Sequence, residues 1–277
     1  MTKIALIFDF DDTLTSDSAT FFVEQKGIDA KTFWSKTVED LMLQDWDPVL
    51  AYMYGLIVES KKQNKPFTKV DLIKCGKRLL FNAGVNTFFE NIKTTVSKQN
   101  LGVEVEFYII SSGLGDIIRN SKIAHHFTHI WASDFAYNEK DEIHFPKNVI
   151  SFTDKTRFLF QIAKGIIGEK ALCNPFEVNT RIPSSELRIP FEQMIYIGDG
   201  YTDIPCFSIV RRNGGIAFGV YDKNHKEKLG RAWGFVEQDR VSNLHSADYR
   251  ANSDLYNSIN MAIQSIANRI TLKNRSM

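Results

Sequence analysis

Cysteine is scarce in this chain of 277 residues, and its three cysteines, Cys75, Cys173 and Cys206, lie far apart. None of them belongs to a CxxC pair. A disulfide framework needs an even set of cysteines, and a structural zinc site needs clustered ligands, so neither is predicted. The cysteine content fits a reducing compartment.

An excess of charge of either sign is also missing, since 34 lysines and arginines face 33 aspartates and glutamates, a formal net charge of +1. A general binder of nucleic acid or of anionic membranes needs a long-range positive field, which a balanced chain does not have. We therefore predict neither class of partner. With 43% hydrophobic and 24% charged residues, the composition is that of a globular protein, and the length allows one large domain or a domain with an insert.

Long apolar runs are absent as well. A membrane span needs about 18 to 20 consecutive apolar residues, and no stretch approaches that length. The N-terminal run, MTKIALIFDFDDTLT, is interrupted at Asp9, so it predicts a buried strand and not a secretory signal. We therefore expect a cytoplasmic protein that does not bind a membrane.

Short apolar runs separated by helical patterns are the main organising feature of the sequence. Four of them are predicted to be strands, over residues 4–8, 105–110, 194–197 and 216–220. Such runs with helices between them are typical of a parallel sheet that is buried on both faces, so the predicted class is α/β. Ligands bind these sheets beyond the carboxyl ends of the strands, where Asp9, Ser111 and Asp199 stand.

The first two predicted strands are separated by about 90 residues, whereas a βα connection usually needs a helix and roughly two to six linking residues. A folded segment must therefore be inserted there, and helices are predicted over residues 32–43, 49–60 and 69–80. Two helix starts support this: Asp47 followed by Pro48, and a capping box formed by Thr68 and Asp71. Residues 16–84 are interpreted as a helical insert.

The insert is rich in aromatic residues, which are interpreted as its core and not as a stacking platform, because aromatic side chains supply much of the area of a core. They are Phe21, Phe22, Phe33, Trp34, Trp46, Tyr52 and Tyr54. Near the C-terminus, apolar residues recur at helical spacing over residues 255–266. This pattern predicts a helix that packs on the sheet.

The first predicted strand ends in the sequence Asp9-Phe10-Asp11-Asp12-Thr13. Because side chains alternate along an extended chain, Asp9 and Asp11 are expected to emerge on the same side. Two converging carboxylates repel each other unless a cation or a shared proton relieves them, so such a pair is costly as structure and useful as a site. The alternative is a pair of solvated loop acids.

A second acidic pair follows the third predicted strand, in the sequence GDGYTD at residues 198–203. Its glycines permit a tight turn, and Thr202 is expected to cap a helix that tolerates Pro205 in its first turn. If the two strands are neighbours, Asp199 and Asp203 meet the first pair at one edge of the sheet. Several carboxylates at one point suit a hard divalent cation such as Mg²⁺.

The second predicted strand delivers Ser111, Ser112 and Gly113 to the same edge, at an expected helix start. Their hydroxyls and backbone N–H groups suit an anionic oxygen, usually of a phosphate, although small residues after a strand often only make a turn. A transferring phosphoryl group also needs a cation. Three lysines are equal candidates from the pattern alone: Lys147, Lys155 and Lys164.

Together these residues resemble the haloacid dehalogenase (HAD) superfamily of phosphohydrolases. The four motifs of that superfamily stand in order along the chain: DxDxT as Asp9, Asp11 and Thr13, the strand-terminal serine as Ser111, the lysine as Lys155, and GDxxxD as Gly198, Asp199 and Asp203. The resemblance implies a Rossmann-like core over residues 1–15 and 85–277. It makes residues 16–84 a helical cap of the phosphoserine-phosphatase-like type, and it favours Lys155 over the other two lysines.

The resemblance further implies an Mg²⁺-dependent phosphatase that hydrolyses a small phosphorylated metabolite. Asp9 would attack phosphorus to form an aspartyl-phosphate, and Asp11 would act as general acid and base. Mg²⁺ would be held by the Asp9 carboxylate, the Asp11 backbone carbonyl and Asp199, with support from Asp203. The oxygens of the phosphate would be bound by Ser111, Ser112, Gly113 and Lys155.

The resemblance leaves the substrate open. In phosphoserine phosphatases an acidic residue five positions after the motif threonine meets the substrate amine, but Ser18 stands at that position, next to Asp17. The run SSGLGD at residues 111–116 also resembles pyrimidine 5′-nucleotidases with the same kind of cap. Phosphoserine phosphatase and 5′-nucleotidase activities are therefore alternatives, as is a non-catalytic regulator that binds a phosphorylated ligand. Dehalogenases and phosphonatases generally lack an acid where Asp11 stands.

Overall fold

The computed structural model describes residues 2–169, 174, 176–223 and 226–275. Cys173 lies outside these residues, whereas Cys75 and Cys206 are buried free thiols. Among the helices of the described part of the chain, none combines the length and the apolar character that crossing a membrane requires.

One sheet organises the structure, and within the described residues it has seven strands. They are β1 (Thr2–Phe8), β2 (Val103–Leu114), β3 (His129–Tyr137), β4 (Ile143–Asn148), β5 (Met194–Gly198), β6 (Ile216–Tyr221) and β7 (Asn243–Ser246). Their order is β4-β3-β2-β1-β5-β6-β7, and the pairs are parallel except for β3 with β4. The predicted α/β class and the four predicted strands are confirmed, and β3, β4 and β7 are additional.

Helices connect the strands and cover the sheet. They are α1 (Ser18–Gln25), α2 (Ala30–Thr32), α3 (Glu39–Met42), α4 (Pro48–Lys62), α5 (Lys69–Arg78), α6 (Val85–Gln99), α7 (Gly115–Ile118), α8 (Asp154–Lys164), α9 (Ile204–Arg212), α10 (Lys226–Glu237) and α11 (Asp254–Arg275). A π-helical stretch, Phe33–Val38, joins α2 to α3.

Alternate residues of β1 belong to two separate apolar cores. Ile4, Leu6 and Phe8 pack in a core to which α6 and α11 contribute. Ala5 and Ile7 pack on the other side, with residues of α8 and α9. All five residues are buried, as expected for a central strand of a parallel sheet that is covered on both faces. The predicted C-terminal helix is therefore confirmed as α11.

Both helix starts predicted in the insert are confirmed. The Asp47 carboxylate caps α4, which has Pro48 in its first turn. At the start of α5, Thr68 Oγ1 accepts from the Asp71 N–H, and the Asp71 carboxylate accepts from the Thr68 N–H. The predicted helix over residues 69–80 ends earlier, at Arg78, and the one over residues 32–43 is divided by the π-helical stretch.

The hairpin formed by β3 and β4 reaches the inserted segment. The N–H of Ile143 donates to the carbonyl of Phe67, and the N–H of Lys69 donates to the carbonyl of Asp141, both at 2.9 Å. Residues 16–84 contain α1 to α5 and no strand. The segment is thus joined to the sheet by the chain at both of its ends and also contacts it at β4. Its boundaries as a separate domain stay a prediction.

A charged residue, Glu106, lies in the interior of the sheet on β2 with 8% of its surface exposed. Its carboxylate accepts hydrogen bonds from Lys3, Tyr108 and Arg188. Burial by itself raises the pKa of Glu106, but the hydrogen bonds from these three residues outweigh it and lower the pKa below its ordinary value of 4.5. The ionised carboxylate is therefore the form that the fold stabilises.

Substituting Glu106→Gln is expected to destabilise the protein by about 2 kcal/mol at pH 7, because three donors lose a charged acceptor. A carboxyl with a lowered pKa in the folded state stabilises it above the pKa of the unfolded state and loses that effect as the pH falls. The difference in unfolding free energy between wild type and variant should therefore be constant from pH 7 to 5 and shrink below about pH 4.5. Urea titrations across this range test the prediction, and an unchanged difference at pH 3 would contradict it.

The matched control is Glu104→Gln. Glu104 is half exposed and pairs only with Lys3 among the described residues. An exposed ion pair contributes little, so this variant is expected to lose less than about 1 kcal/mol.

Candidate active site

Asp9 is the first residue after the central strand. Its backbone N–H donates to the Ile197 carbonyl on β5 at 2.9 Å, which fixes it at the carboxyl end of the sheet. Its Oδ1 accepts from the N–H of Phe10 at 2.8 Å, and the residue is 6% exposed. Since β1 pairs with β5 on one side and β2 on the other, the expectation that the two acidic motifs lie on neighbouring strands is confirmed.

Three carboxylates converge at this point. Oxygens of Asp9, Asp199 and Asp203 all lie within 4.8 Å of one another. Hard oxygen ligands at this spacing are suited to a divalent cation. The carboxylate of Asp11 is not part of this group.

Asp203 is fully buried and its carboxylate is held by protein donors. Oδ1 accepts from the Lys155 ammonium and from the Tyr196 hydroxyl, both at 2.8 Å, and Oδ2 accepts from the Gly200 N–H at 3.2 Å. Three donors on one carboxylate fix the loop after β5 and orient Lys155.

Lys155 lies in the first turn of α8 and is 0% exposed. Its Nζ is 3.1 Å from Asp9 Oδ1, and it donates to Thr202 Oγ1 at 3.0 Å. Burial by itself lowers the pKa of Lys155, but the carboxylates of Asp203 and Asp9 outweigh this and raise it, so the ammonium stays charged. Of its rivals, Lys147 lies on β4, and Lys164 donates to two backbone carbonyls.

The predicted capping role of Thr202 is wrong. Thr202 lies within a 3₁₀ turn, Tyr201–Asp203, and α9 begins after it without a side-chain cap. Pro205 is in the first turn of α9, as predicted. The Thr202 hydroxyl instead accepts a hydrogen bond from the Lys155 ammonium. The two residues are distant in sequence, so a local sequence pattern cannot predict this contact.

Asp11 lies on the loop after β1, beside the carboxyl end of the sheet. Its Oδ1 accepts from the N–H of Ser18 at 2.7 Å, at the start of α1. Its Oδ2 lies so close to Gly113 that a Cβ at that position would approach it to 2.3 Å, so a larger residue there would displace the Asp11 carboxylate. Asp12 turns the chain with a φ of 55°. Asp9 and Asp11 therefore border the same cavity, described below.

Ser111, Ser112 and Gly113 belong to β2, which continues to Leu114 through an irregularity in its pairing with β3. The expectation that these residues follow the strand is therefore wrong, whereas a helix does begin close by, at Gly115 of α7. Ser111 is buried and its Oγ accepts from the Gly113 N–H at 2.9 Å. Ser112 Oγ is buried with no hydrogen-bond partner among the described residues, and its carbonyl accepts from the Tyr52 hydroxyl at 2.7 Å.

Burial and crowding disfavour the charged forms of these acids. Burial, then the Asp203 carboxylate, raises the pKa of Asp9 to about 7, although Lys155 acts in the opposite direction. Burial and the nearby Asp17 raise the pKa of Asp11 well above its ordinary value. Burial, Asp203 and Asp9 do the same for the pKa of Asp199. The positive charge of one lysine does not balance the negative charge of these carboxylates when they are ionised. The site is therefore suited to a further cation.

A cavity of about 370 Å³ opens over the acidic group. The strand ends contribute Asp9, Asp11, Asp12, Ser111, Ser112, Gly113, Asp199, Gly200, Tyr201 and Thr202, and the other lining residues are Asp17, Ala19, Trp34, Pro48, Val49, Tyr52 and Phe152. Thus Trp34 and Tyr52, interpreted from the sequence as core of the insert, also line the cavity. Sequence reasoning missed Phe152, for which no motif gives a signal.

The aromatic core of the insert is otherwise largely as expected. Phe22, Phe33 and Tyr52 are buried, whereas Tyr54 is 38% exposed and was wrongly placed in the core. Ser18 is fully buried and does not line the cavity, but its neighbour Asp17 does. Asp17 also caps α1 by accepting from the Thr20 N–H.

No family model matches the chain. An uncharacterized protein from Borreliella burgdorferi is 30% identical over 286 residues, which cover 92% of this chain and 94% of that protein.

Several solved structures have a similar fold. A phosphoserine phosphatase in a phospho-aspartyl intermediate analogue form has a TM-score of 0.54 at 14% identity, covering 94% of this chain and 99% of that one. A phosphoserine phosphohydrolase-like protein from Francisella tularensis has a TM-score of 0.53 at 17% identity, covering 94% of this chain and 99% of that one. A HAD family hydrolase from Salmonella enterica serovar Typhi has a TM-score of 0.56 at 13% identity, covering 87% of this chain and 66% of that one.

At such low identity the solved structures establish a common fold, and the B. burgdorferi sequence establishes a relative over nearly the whole length. The chain therefore belongs to the same family as the B. burgdorferi protein, and its fold is that of the solved phosphoserine phosphatase and HAD family hydrolase structures.

Proposed function

We propose that this protein is an Mg²⁺-dependent phosphatase that hydrolyses a small phosphomonoester through an aspartyl-phosphate on Asp9. The observation that carries the proposal is the convergence of Asp9, Lys155, Asp199 and Asp203 at the carboxyl end of the central strands. The similarity of the fold to phosphoserine phosphatases supports the same class of reaction.

In the first step Asp9 attacks phosphorus in line, and the bond from phosphorus to the leaving alcohol breaks. Asp11 gives its proton to that alcohol, which its raised pKa favours because the protonated form is stabilised by burial. In the second step Asp11 takes a proton from water as the water oxygen attacks phosphorus. The bond to Asp9 breaks, and inorganic phosphate leaves.

The oxygens of the phosphate would be bound by Ser111, Ser112, Gly113 and Lys155. The Ser112 hydroxyl, which has no partner within the described part of the chain, and the charged ammonium of Lys155 support this assignment, since both are donors at the edge where Asp9 stands. Donors fixed before the reaction stabilise the charge that develops on these oxygens.

The residues fit a magnesium ion, because oxygens of Asp9, Asp199 and Asp203 lie within 4.8 Å of one another. Burial and the neighbouring carboxylates raise the pKa values of Asp9 and Asp199, and a bound cation would favour their ionised forms. Asp9 and Asp199 would bind it directly with the backbone carbonyl of Asp11, and Asp203 would support them. When bound, Mg²⁺ supplies positive charge that screens the nucleophile from the phosphate. Residues 16–84 would act as the cap that excludes water from the cavity.

Hydrolysis of p-nitrophenyl phosphate tests this function. We expect the purified protein to release phosphate in the presence of Mg²⁺, and a chelator to lower the rate by on the order of 10³ or more, because the carboxylates then repel the phosphate dianion. Added Mg²⁺ should restore the rate. A protein that binds beryllofluoride or phosphate but releases none would instead be the non-catalytic regulator.

A further inference from the structure

We propose that Tyr196 is a positioning residue of the reaction, which acts through Asp203 to hold the Lys155 ammonium where it meets the phosphate. The inference rests on the proposed phosphatase function and adds a residue that none of the four motifs contains. Tyr196 does not line the cavity, so its effect on the reaction passes through its contact with Asp203.

Tyr196 lies on β5, three residues before Asp199. Its side chain belongs to the apolar core formed with α8, which carries Lys155, and with α9, which follows the acidic loop. The ring packs edge-on against Phe207 of α9, with centroids 5.6 Å apart. Tyr196 is 0% exposed, so its hydroxyl needs a hydrogen-bond partner within the protein.

That partner is the carboxylate of Asp203. The Tyr196 hydroxyl donates to Oδ1 at 2.8 Å, and the same oxygen accepts from the Lys155 ammonium at 2.8 Å. Burial and the Asp203 carboxylate raise the pKa of Tyr196 well above its ordinary value, so the hydroxyl keeps its proton and donates. The other oxygen, Oδ2, accepts from the Gly200 N–H and lies where a Cβ on Gly198 would approach it to 2.4 Å. Tyr196 and the loop therefore fix the orientation of this carboxylate together.

The ammonium of Lys155 is shared between two carboxylates. Its Nζ lies 2.8 Å from Asp203 Oδ1 and 3.1 Å from Asp9 Oδ1. Because the Tyr196 hydroxyl offsets part of the negative charge on Asp203 Oδ1, it weakens the attraction between that oxygen and the ammonium. Without the hydroxyl, the ammonium would move towards Asp203 and away from Asp9. Such a shift lowers the rate more than the affinity, since Lys155 is expected to bind oxygens whose charge grows in the transition state.

Tyr108 provides a matched control within the same sheet. Tyr108 of β2 and Tyr196 of β5 both pair with Ile7 of β1, one on each side, and both are fully buried in the same core. Each hydroxyl donates to a carboxylate, but Tyr108 donates to Glu106, which lies towards the amino end of the sheet. Phenylalanine at either position therefore removes the same kind of buried hydrogen bond, and only one of the two bonds lies at the acidic edge.

Steady-state hydrolysis of p-nitrophenyl phosphate with saturating Mg²⁺ compares Tyr196→Phe with Tyr108→Phe. We expect the kcat of Tyr196→Phe to fall at least about tenfold while KM stays within about twofold of wild type, as for an interaction made in the transition state. Tyr108→Phe should keep kcat within about twofold of wild type. The melting temperatures of both variants should fall by roughly 2–4 °C, the effect of one lost hydrogen bond in a protein of this size.

A double-mutant cycle shows whether Tyr196 acts through Asp203. In the Asp203→Asn background, the further substitution Tyr196→Phe should lower kcat by less than about twofold, because the carboxylate that the hydroxyl orients is already absent. A general loosening of the core would instead lower kcat equally in both backgrounds.

Each outcome decides the assignment. If Tyr196→Phe keeps its kcat, if both phenylalanine variants lose activity equally, or if Tyr196→Phe alone does not fold, the hydroxyl is structural and the inference is wrong, while the proposed function stands. The inference also fails if Tyr196→Phe slows Asp203→Asn as much as it slows wild type. If wild type itself hydrolyses no p-nitrophenyl phosphate with Mg²⁺ present, the proposed function fails and the inference fails with it.

Discussion

The variant Asp9→Asn is expected to hydrolyse p-nitrophenyl phosphate more slowly than wild type by a factor on the order of 10⁴ or more, because an amide cannot attack phosphorus. Phosphate release with saturating Mg²⁺ measures the loss. Mass spectrometry should also detect no phosphate adduct on the variant. Asp45→Asn is the matched control, since Asp45 is exposed and its φ of 68° is one that asparagine tolerates.

The melting temperature of Asp9→Asn shows whether the variant is inactive because it lacks the nucleophile or because it does not fold. A carboxyl whose pKa is raised in the folded state costs stability as the pH rises through that pKa, here about 7. At pH 8 without metal, wild type bears this cost and the variant does not, while Lys155 keeps Asp203 as its partner. We therefore expect a melting temperature at least equal to that of wild type. A much lower one would mean that the inactivity reflects misfolding.

The variant Lys155→Met is expected to lose about 3–5 kcal/mol of unfolding free energy at pH 8 without metal, because removing one member of a buried ion pair leaves uncompensated charge. Lys155 is fully buried between Asp9 and Asp203, so water cannot replace it. Urea unfolding measures the loss. The deficit should shrink as the pH falls towards 7, because Lys155 lowers the pKa of Asp9 and its loss lets Asp9 take up a proton at higher pH than in wild type. Phosphatase activity should be lost as well.

Lys164→Met is the control for this variant. Lys164 lies in the last turn of the same helix, α8, and donates to the carbonyls of Val178 and Thr180. Its replacement is expected to cost about 1 kcal/mol. If the two methionine variants were equally stable at pH 8, the buried ammonium would not be the cation that holds the acidic group together.

The sequence predicted the sheet and its acidic edge because the signals are local and repeated. Four apolar runs of strand length each end in small or acidic residues, and parallel strands bring their carboxyl ends to one edge. Helix starts were predictable for the same reason, since Asp47 and the pair Thr68 and Asp71 satisfy backbone donors within one turn.

The missed strands lack such signals. The strand β4 contains Pro146 and only two buried residues, and β7 is four residues long. Both are edge strands of the sheet, and buried and exposed residues do not alternate along them, so neither has the period-two pattern that predicts a strand. The continuation of β2 through Ser111 to Leu114 was missed because small polar residues favour a turn unless a neighbouring strand pairs with them.

The wall of the cavity could not be derived from sequence either. Aromatic residues in a helical insert are more often core than ligand contacts, and Tyr52 is indeed buried. Its role in the cavity depends on how α4 lies over Ser112, which is a tertiary contact. Likewise, nothing local distinguishes Asp17 from Ser18 as the residue that lines the cavity.

The place of β1 in the sheet has a consequence for folding during synthesis. The central strand β1 is synthesised before both strands that flank it, since Ala5 pairs with Met194 on one side and Ile4 pairs with Val105 on the other. Contacts of such long sequence separation carry a large loop-closure entropy and form slowly. A nascent chain that ends before β5 has an unpaired apolar edge on β1. We therefore expect this protein to depend on chaperones until most of its length has been synthesised.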